Sequence, residues 1–350
     1  MTNKKIKVLI IDDSPIVREI LKRGLSQDET IEVVGTAEDV YQARDMIVQL
    51  RPDVLTLDIE MPKMDGIEFL RRFMPQFPIP TIMVSSLTKR GSESTLKALE
   101  NGAVDFVCKP SGNIKDLENV LMELRTKIKI ASTINVSSFK ILKNLDESRK
   151  TKSINQVSSY THSDKIIAIG ASTGGTEAIR TVIENLPSTL PGIVIVQHMP
   201  KGFTKTFADR LNELSYYYVK EAEEGDEIKP GLALVAPGDF HLTLVKNNGK
   251  TIVKLSQSDK VNGHRPAVDP FFFSVADIYK EKALGIILTG MGNDGAQGLK
   301  KMLENGSYTI GQDEKSSIVY GMPKVAYEIG GVKIQCTLEK INDLIISKFQ

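Results

Sequence analysis

A serine, a histidine and an aspartate occupy comparable places in the second half of this 350-residue sequence. Ser172 lies in Gly170-Ala171-Ser172-Thr173-Gly174, after the apolar run Ile166-Ile167-Ala168-Ile169 and before a helical pattern of Ala178, Ile179, Val182, Ile183 and Leu186. Strand, tight glycine turn and helix together present one side chain above the end of a sheet, and G-x-S-x-G is the spacing of a nucleophile elbow. The N–H groups and positive dipole end of the helix suit a developing oxyanion. The same turn could instead cradle a phosphate. A nucleophilic serine needs a base, and the base needs an orienting acid. His198 follows the strand-like run Gly192 to Val196, and Asp294 sits in a glycine-rich loop after the apolar run Ala283 to Thr289. His198 would take the serine proton and return it to a leaving group, while Asp294 would fix the imidazole tautomer. The order Ser, His, Asp differs from the usual α/β-hydrolase order, which weakens any analogy to lipases. Asp269 is a rival third member or the cap of a helix starting near Pro270, His241 a core-edge or pocket histidine, and His264 part of an exposed-looking loop. Arg265 would steer an acidic substrate segment or stand solvated.

The first half carries a different set. Asp12 and Asp13 end the run Ile6 to Ile11, Asp58 ends Val54 to Leu57, Ser85 ends Thr81 to Val84, and Lys109 ends Asp105 to Cys108. Three crowded carboxylates repel one another unless a cation joins them, and oxygen ligands suit Mg²⁺. Asp58 would accept a phosphoryl group as an aspartyl phosphate, Lys109 would meet its charge, and Ser85 would donate a hydrogen bond to it.

The elements that must position these groups are legible as alternation. Apolar runs read as strands buried on both faces, and Val40 to Leu50, Ile67 to Phe73 and Glu93 to Asn101 read as intervening helices. Ser14-Pro15 opens another helix, with Ile16, Val17, Ile20 and Leu21 on one face. Alternating β and α predicts a doubly wound parallel sheet, whose ligands bind beyond the carboxyl ends of the strands. The length admits two domains. We expect one at 1–128, a Ser- and Lys-rich linker at 129–161 with a short helical turn within Phe139 to Leu145, and a second domain at 162–350. A net charge of +1 gives no basic field for nucleic acid, and no apolar run reaches the length of a membrane span. Cys108 and Cys336, far apart, read as reduced structural residues of a cytoplasmic protein.

Val8 to Pro15, Asp58-Ile59-Glu60-Met61-Pro62-Lys63-Met64-Asp65-Gly66, Val84-Ser85-Ser86 and Lys109-Pro110 resemble the receiver domain of two-component response regulators. That resemblance implies a flavodoxin-like fold, Asp12, Asp13, Asp58 and the backbone carbonyl of Glu60 at a Mg²⁺ site, phosphorylation at Asp58, and switch positions at Ser85, Phe106 and Lys109. Gly170 to Gly175, Gln197-His198-Met199-Pro200, Pro237 to His241, His264-Arg265-Pro266, Leu288 to Ala296 and Tyr320 to Pro323 resemble the chemotaxis protein-glutamate methylesterase family. This second resemblance implies a Rossmann-like esterase domain with Ser172, His198 and Asp294 as its triad and backbone donors near Thr173 and Met291 as the oxyanion hole. It also implies no cofactor for the ester reaction, methyl-accepting chemoreceptors as substrates, and a chemotaxis histidine kinase as the phosphodonor. Deamidation of receptor glutamines and a cytoplasmic location follow from it too, with no nucleic-acid partner and no direct membrane insertion. The readings from other classes are a non-enzymatic response regulator and a serine hydrolase of small esters.

Overall fold

Apolar runs ending in polar residues become the central strands of two parallel sheets. The computed structural model describes residues 4–109, 114–134 and 164–349. The chain divides into two units, residues 1–148 and 149–350.

The first unit runs β1 (Ile6–Ile11), α1 (Pro15–Leu25), β2 (Ile31–Ala37), α2 (Val40–Leu50), β3 (Val54–Asp58), α3 (Gly66–Phe73), β4 (Thr81–Ser85), α4 (Lys89–Glu100), β5 (Asp105–Cys108) and α5 (Ile114–Ala131). Its strands pair in parallel in the order β2-β1-β3-β4-β5, the flavodoxin-like order. The core is built from Val8, Ile10, Val54, Ile82, Val84 and Val107 on the strands and Leu21, Leu25, Leu124 and Ile128 on helices α1 and α5. Ser14 caps α1 by accepting from the Val17 N–H, with Pro15 in the first turn. The expected buried face of this helix needs correction: Ile16 is 70 % exposed, and Leu21, Gly24 and Leu25 take the core side. Strand β2 was not among the expected strands, because as an edge strand it alternates only weakly between buried and half-buried positions. Helix α5 continues through Ala131, past the expected end of the first domain at residue 128. The remainder of the expected linker from residue 135 on, with its helical turn at Phe139 to Leu145, lies outside the described residues.

The second unit runs β6 (Ile166–Ala171), α6 (Gly175–Ile183), β7 (Gly192–Gln197), α7 (Phe203–Leu214), β8 (Tyr218–Glu221), β9 (Leu232–Val235), β10 (His241–Asn247), β11 (Lys250–Ser256), α8 (Val268–Tyr279), β12 (Ala283–Ile287), α9 (Ala296–Glu304), β13 (Tyr308–Gln312), α10 (Met322–Glu328), β14 (Ile334–Cys336) and α11 (Leu338–Phe349). Seven strands form one parallel sheet in the order β14-β13-β12-β6-β7-β9-β8, and β10 and β11 form a separate antiparallel hairpin. Strand order reverses at β6, between β12 and β7, which makes the edge there a topological switch point. Phe271, Phe272, Val275 and Ala276 of α8 are fully buried in the core under this sheet. Truncating either phenylalanine to alanine is expected to cost about 3–5 kcal/mol of stability. Among the described residues no helix is long and apolar enough to cross a membrane.

Candidate active site

Three adjacent strands deliver the three residues. Ser172 follows β6, His198 follows β7, and Asp294 stands in the loop after β12, just before α9. The Ser172 hydroxyl lies 3.1 Å from His198 Nδ1, and His198 Nε2 lies 2.7 Å from Asp294 Oδ2. A carboxylate only accepts, so Nε2 carries the imidazole proton and Nδ1 presents its lone pair to Ser172. The ring is thus used the other way round from the serine-protease arrangement, in which Nδ1–H faces the acid.

The loops are tied to one another around the serine. Ser172 N–H donates to Thr289 O at 3.0 Å, and Thr289 Oγ1 donates to Thr173 O at 3.0 Å. Gln197, buried at the end of β7, donates from Nε2 to Ser172 O at 2.9 Å. Gly290 permits the closest approach: a Cβ there would lie 2.7 Å from the Ser172 Cβ and 2.4 Å from Met322 Sδ. Gly174 caps α6 with φ +76, a conformation that favours glycine. Thr173 and Met291, the expected oxyanion donors, stand on the loops after β6 and β12 that meet at the serine; Thr173 is buried and Met291 is 40 % exposed.

Asp294 is saturated with donors. Its Oδ2 accepts from His198 and from the Val268 N–H at 2.6 Å, and its Oδ1 accepts from Asn262 Nδ2 at 2.8 Å and the Asp269 N–H at 3.1 Å. Burial alone would raise its carboxyl, but the His198 hydrogen bond, the Val268 N–H and the Asn262 amide outweigh burial and hold it at about 2.

The other candidates find different places. The helix expected near Pro270 is α8, which starts at Val268; Asp269 lies in its first turn and does not cap it. Its Oδ1 accepts the Gly298 N–H of α9 at 2.7 Å, so it caps the neighbouring helix. His264 is not merely exposed: its ring stacks on His198 with centroids 3.7 Å apart. His241 begins β10, is buried, and donates from Nε2 to Asp259 O at 3.0 Å. Arg265 is half-buried and already paired within its own loops. It binds Asp239 Oδ1 through Nε and NH2 and the Gln257 and Ser258 carbonyls through NH1. Reasoning from sequence missed Asn262 and the particular role of Gln197. The Asn262-Gly263 dipeptide, a hairpin-turn signal, was the available clue.

In the first unit the expected cluster also assembles. Single carboxylate oxygens of Asp12, Asp13 and Asp58 lie within 4.8 Å of one another. Lys109 Nζ donates to Asp58 Oδ2 at 2.7 Å and lies 3.1 Å from Asp12 Oδ2. That second approach lacks hydrogen-bond alignment, so buried Asp12 Oδ2 has no hydrogen-bond partner among the described residues. Asp58 Oδ1 accepts a 3.3 Å bond from the Glu60 N–H, which brings the Glu60 backbone to the cluster. Burial pushes the Asp58 carboxyl up to about 6, with the Asp12 charge adding to it against Lys109. Burial also raises Asp12. Three hard carboxylate donors with a single lysine beside them fit a small divalent cation. Ser85 is turned elsewhere, accepting from Thr95 Oγ1 at 2.7 Å, and Phe106 is buried. Cys108 and Cys336 are free, and burial pushes their thiols up to about 12 and about 11.

A flavodoxin-like unit with an acidic strand-end cluster, joined to an α/β unit with a Ser-His-Asp relay at its switch point, defines a receiver-linked hydrolase class. The sequence profile of the CheB methylesterase matches residues 167–345, and that of the response regulator receiver domain matches residues 8–121. The protein-glutamate methylesterase/protein-glutamine glutaminase of Syntrophotalea carbinolica is 53 % identical, over 98 % of this chain and 97 % of its own. That of Sulfurimonas denitrificans is 50 % identical over 98 % of each chain. The crystal structure of the Thermotoga maritima CheB methylesterase catalytic domain is 47 % identical with a TM-score of 0.52, covering 53 % of this chain and 98 % of that one. The chain belongs to the CheB methylesterase family and carries a response-regulator receiver domain.

Proposed function

We propose that the protein hydrolyses γ-glutamyl methyl esters on methyl-accepting chemoreceptors to glutamate and methanol, under control of phosphorylation at Asp58. The observation that carries this is the unbroken relay from Ser172 Oγ through His198 to Asp294 at the switch point. His198 Nδ1 takes the Ser172 proton as Oγ attacks the ester carbonyl, and the backbone N–H groups of Thr173 and Met291 receive the oxyanion. His198, hydrogen-bonded through Nε2–H to charged Asp294, then protonates departing methanol. Water, deprotonated by Nδ1, cleaves the glutamyl-serine ester and releases the glutamate side chain. The same acyl-enzyme route releases ammonia from a glutamine amide, which accords with the double name of the relatives.

In the receiver, Asp12, Asp13, Asp58 and the Glu60 carbonyl would hold Mg²⁺, which supplies charge neutralisation for a phosphoryl group arriving at Asp58. Lys109, already bonded to Asp58, would meet that group's charge, and Ser85 would leave Thr95 to donate to it. In this reading the phosphodonor is a chemotaxis histidine kinase and the reaction takes place in the cytoplasm.

Methanol release from methylated receptor membranes tests the reading, with a free small ester as the alternative substrate. Release that requires Ser172, is faster from receptor than from the small ester, and rises with a small-molecule phosphodonor and Mg²⁺ supports it. Release unchanged in Ser172→Ala removes the triad, and equal rates on both substrates leave a general esterase.

A further inference from the structure

Two buried carboxylates stand side by side in the second unit, and only one of them touches His198. Asp294 and Asp269 are 1 % and 6 % exposed. Between them sits one amide: Asn262 Nδ2 donates to Asp294 Oδ1 at 2.8 Å and to Asp269 Oδ2 at 3.0 Å. The amide has two protons, one for each carboxylate. It arrives on a tight turn. Val261 and His264 exchange both backbone hydrogen bonds, at 3.1 and 2.9 Å, and Asn262 and Gly263 take φ +52 and +81. Asn-Gly in this geometry is a two-residue hairpin turn. The same turn ends in His264, which stacks on His198. Besides Asn262, Asp294 faces His198 from the end of β7 and, from α8, the Asp269 carboxylate and the N–H groups of Val268 and Asp269.

Like charges this close and this dry favour sharing a proton unless donors separate them. Asp269 is held by the Gly298 N–H and Asn262, and Asp294 by its own donors, with Asn262 common to both. We propose that Asn262 is a positioning residue for the esterase reaction: its amide keeps Asp269 and Asp294 from sharing a proton and holds the Asp294 carboxylate turned toward His198. This rests on the triad reading of Ser172, His198 and Asp294.

The consequence is specific. Without the amide, the carboxylate pair takes up a proton at higher pH than before, and His198 loses its charged partner. Removing the second carboxylate as well relieves the pair. A residue needed only to form the turn would give no such relief.

The test uses the full chain on methylated receptor membranes, measuring kcat, KM and the pH dependence of kcat for wild type, Asn262→Gly, Asn262→Asp and Asn262→Gly/Asp269→Asn, with Ser172→Ala alongside. Glycine accepts the left-handed backbone at position 262 and removes only the side chain. Aspartate tolerates that backbone too and replaces the donor with a third carboxylate, so it covers failure of the glycine variant to fold, which thermal melting reports. Asn262→Gly is expected to lower kcat about tenfold with KM within about twofold. The acidic limb of its profile should shift from the wild-type position, and Asn262→Asp should shift it too. The double variant should recover most of kcat and return the limb toward wild type. A folded Asn262→Gly protein with wild-type kcat and profile overturns the proposal, as does a slow one whose limb is unmoved and whose rate the second substitution does not restore. Undiminished release by Ser172→Ala would instead overturn the triad reading beneath it.

Discussion

The two carboxylate clusters stand at equivalent edges of parallel sheets, and their key acids, Asp58 and Asp294, are both buried yet held in opposite directions. Asp58 is pushed up to about 6, and Asp294 is held at about 2. The difference is donor supply. Asp294 accepts from His198, Val268 N–H, Asn262 and Asp269 N–H, so both oxygens are doubly bonded to donors. Asp58 accepts from Lys109 at 2.7 Å and weakly from Glu60 N–H at 3.3 Å, beside an Asp12 oxygen with no hydrogen-bond partner. One cluster is complete and orients a base. The other is short of positive charge and is suited to receive a cation and a phosphoryl group. Burial raises both carboxyls, and the donors aimed at the buried oxygens decide whether that rise survives, as at Asp58, or is overturned, as at Asp294.

Substitutions can break this contrast at either end, and the esterase end should respond most. Ser172→Ala should lower receptor demethylation by about 10⁵-fold or more, read as methanol release. Asp294→Asn should cost about 10⁴-fold in kcat, since an amide offers His198 no charge and can select the wrong tautomer. Gly290→Ala should also lower kcat, by about 10²-fold, because the added methyl displaces Ser172; crystallography of that variant would show the serine moved.

The receiver end should respond in stability. A folded-state carboxyl raised from 3.8 to about 6 binds a proton more readily than the unfolded chain does. Its stabilising contribution is therefore full below about pH 4 and lost as pH rises through about 6. At neutral pH the ionised Asp58 is destabilising relative to its protonated form. Asp58→Asn should raise the receiver melting temperature at pH 7.5 by about 5 °C without Mg²⁺, and should abolish activation by a phosphodonor. Mg²⁺ should raise the wild-type melting temperature by a few degrees at pH 7.5, with the gain shrinking toward pH 5. A melting temperature indifferent to Mg²⁺ at both pH values would erase the contrast between the clusters. Asp294 has the reverse sign: its contribution is present above pH 4 and lost only as pH falls toward about 2, so acid should not release it in the working range.

Much of this was legible residue by residue. The run Ile6 to Ile11 ending in Asp12-Asp13 announced both a buried strand and the position of its acids, because a parallel strand buried on two faces is apolar throughout and its polar end marks the sheet edge. The same logic put Ser172, His198 and Asp294 on one edge. It failed at Asn262, His264 and Arg265, in the segment between the hairpin and α8, and at Asp269 in the first turn of α8, where no periodicity constrains which way a side chain turns. Strand β2 and the exposed Ile16 were missed for a related reason: an edge strand and a first helical turn carry weak patterns.

The sequence by itself determined the strands that end at the two sites, the order of the catalytic residue types and the carboxyl-end placement of each, since these follow from local apolar runs and glycine turns. The tertiary structure alone decided that β12, β6 and β7 are neighbours, that Nδ1 rather than Nε2 of His198 meets Ser172, and that one amide parts Asp269 from Asp294. Those are angstrom-scale relations between segments far apart in the chain. They are set by how sheet order and loop packing distribute hydrogen-bond donors, which no local pattern encodes.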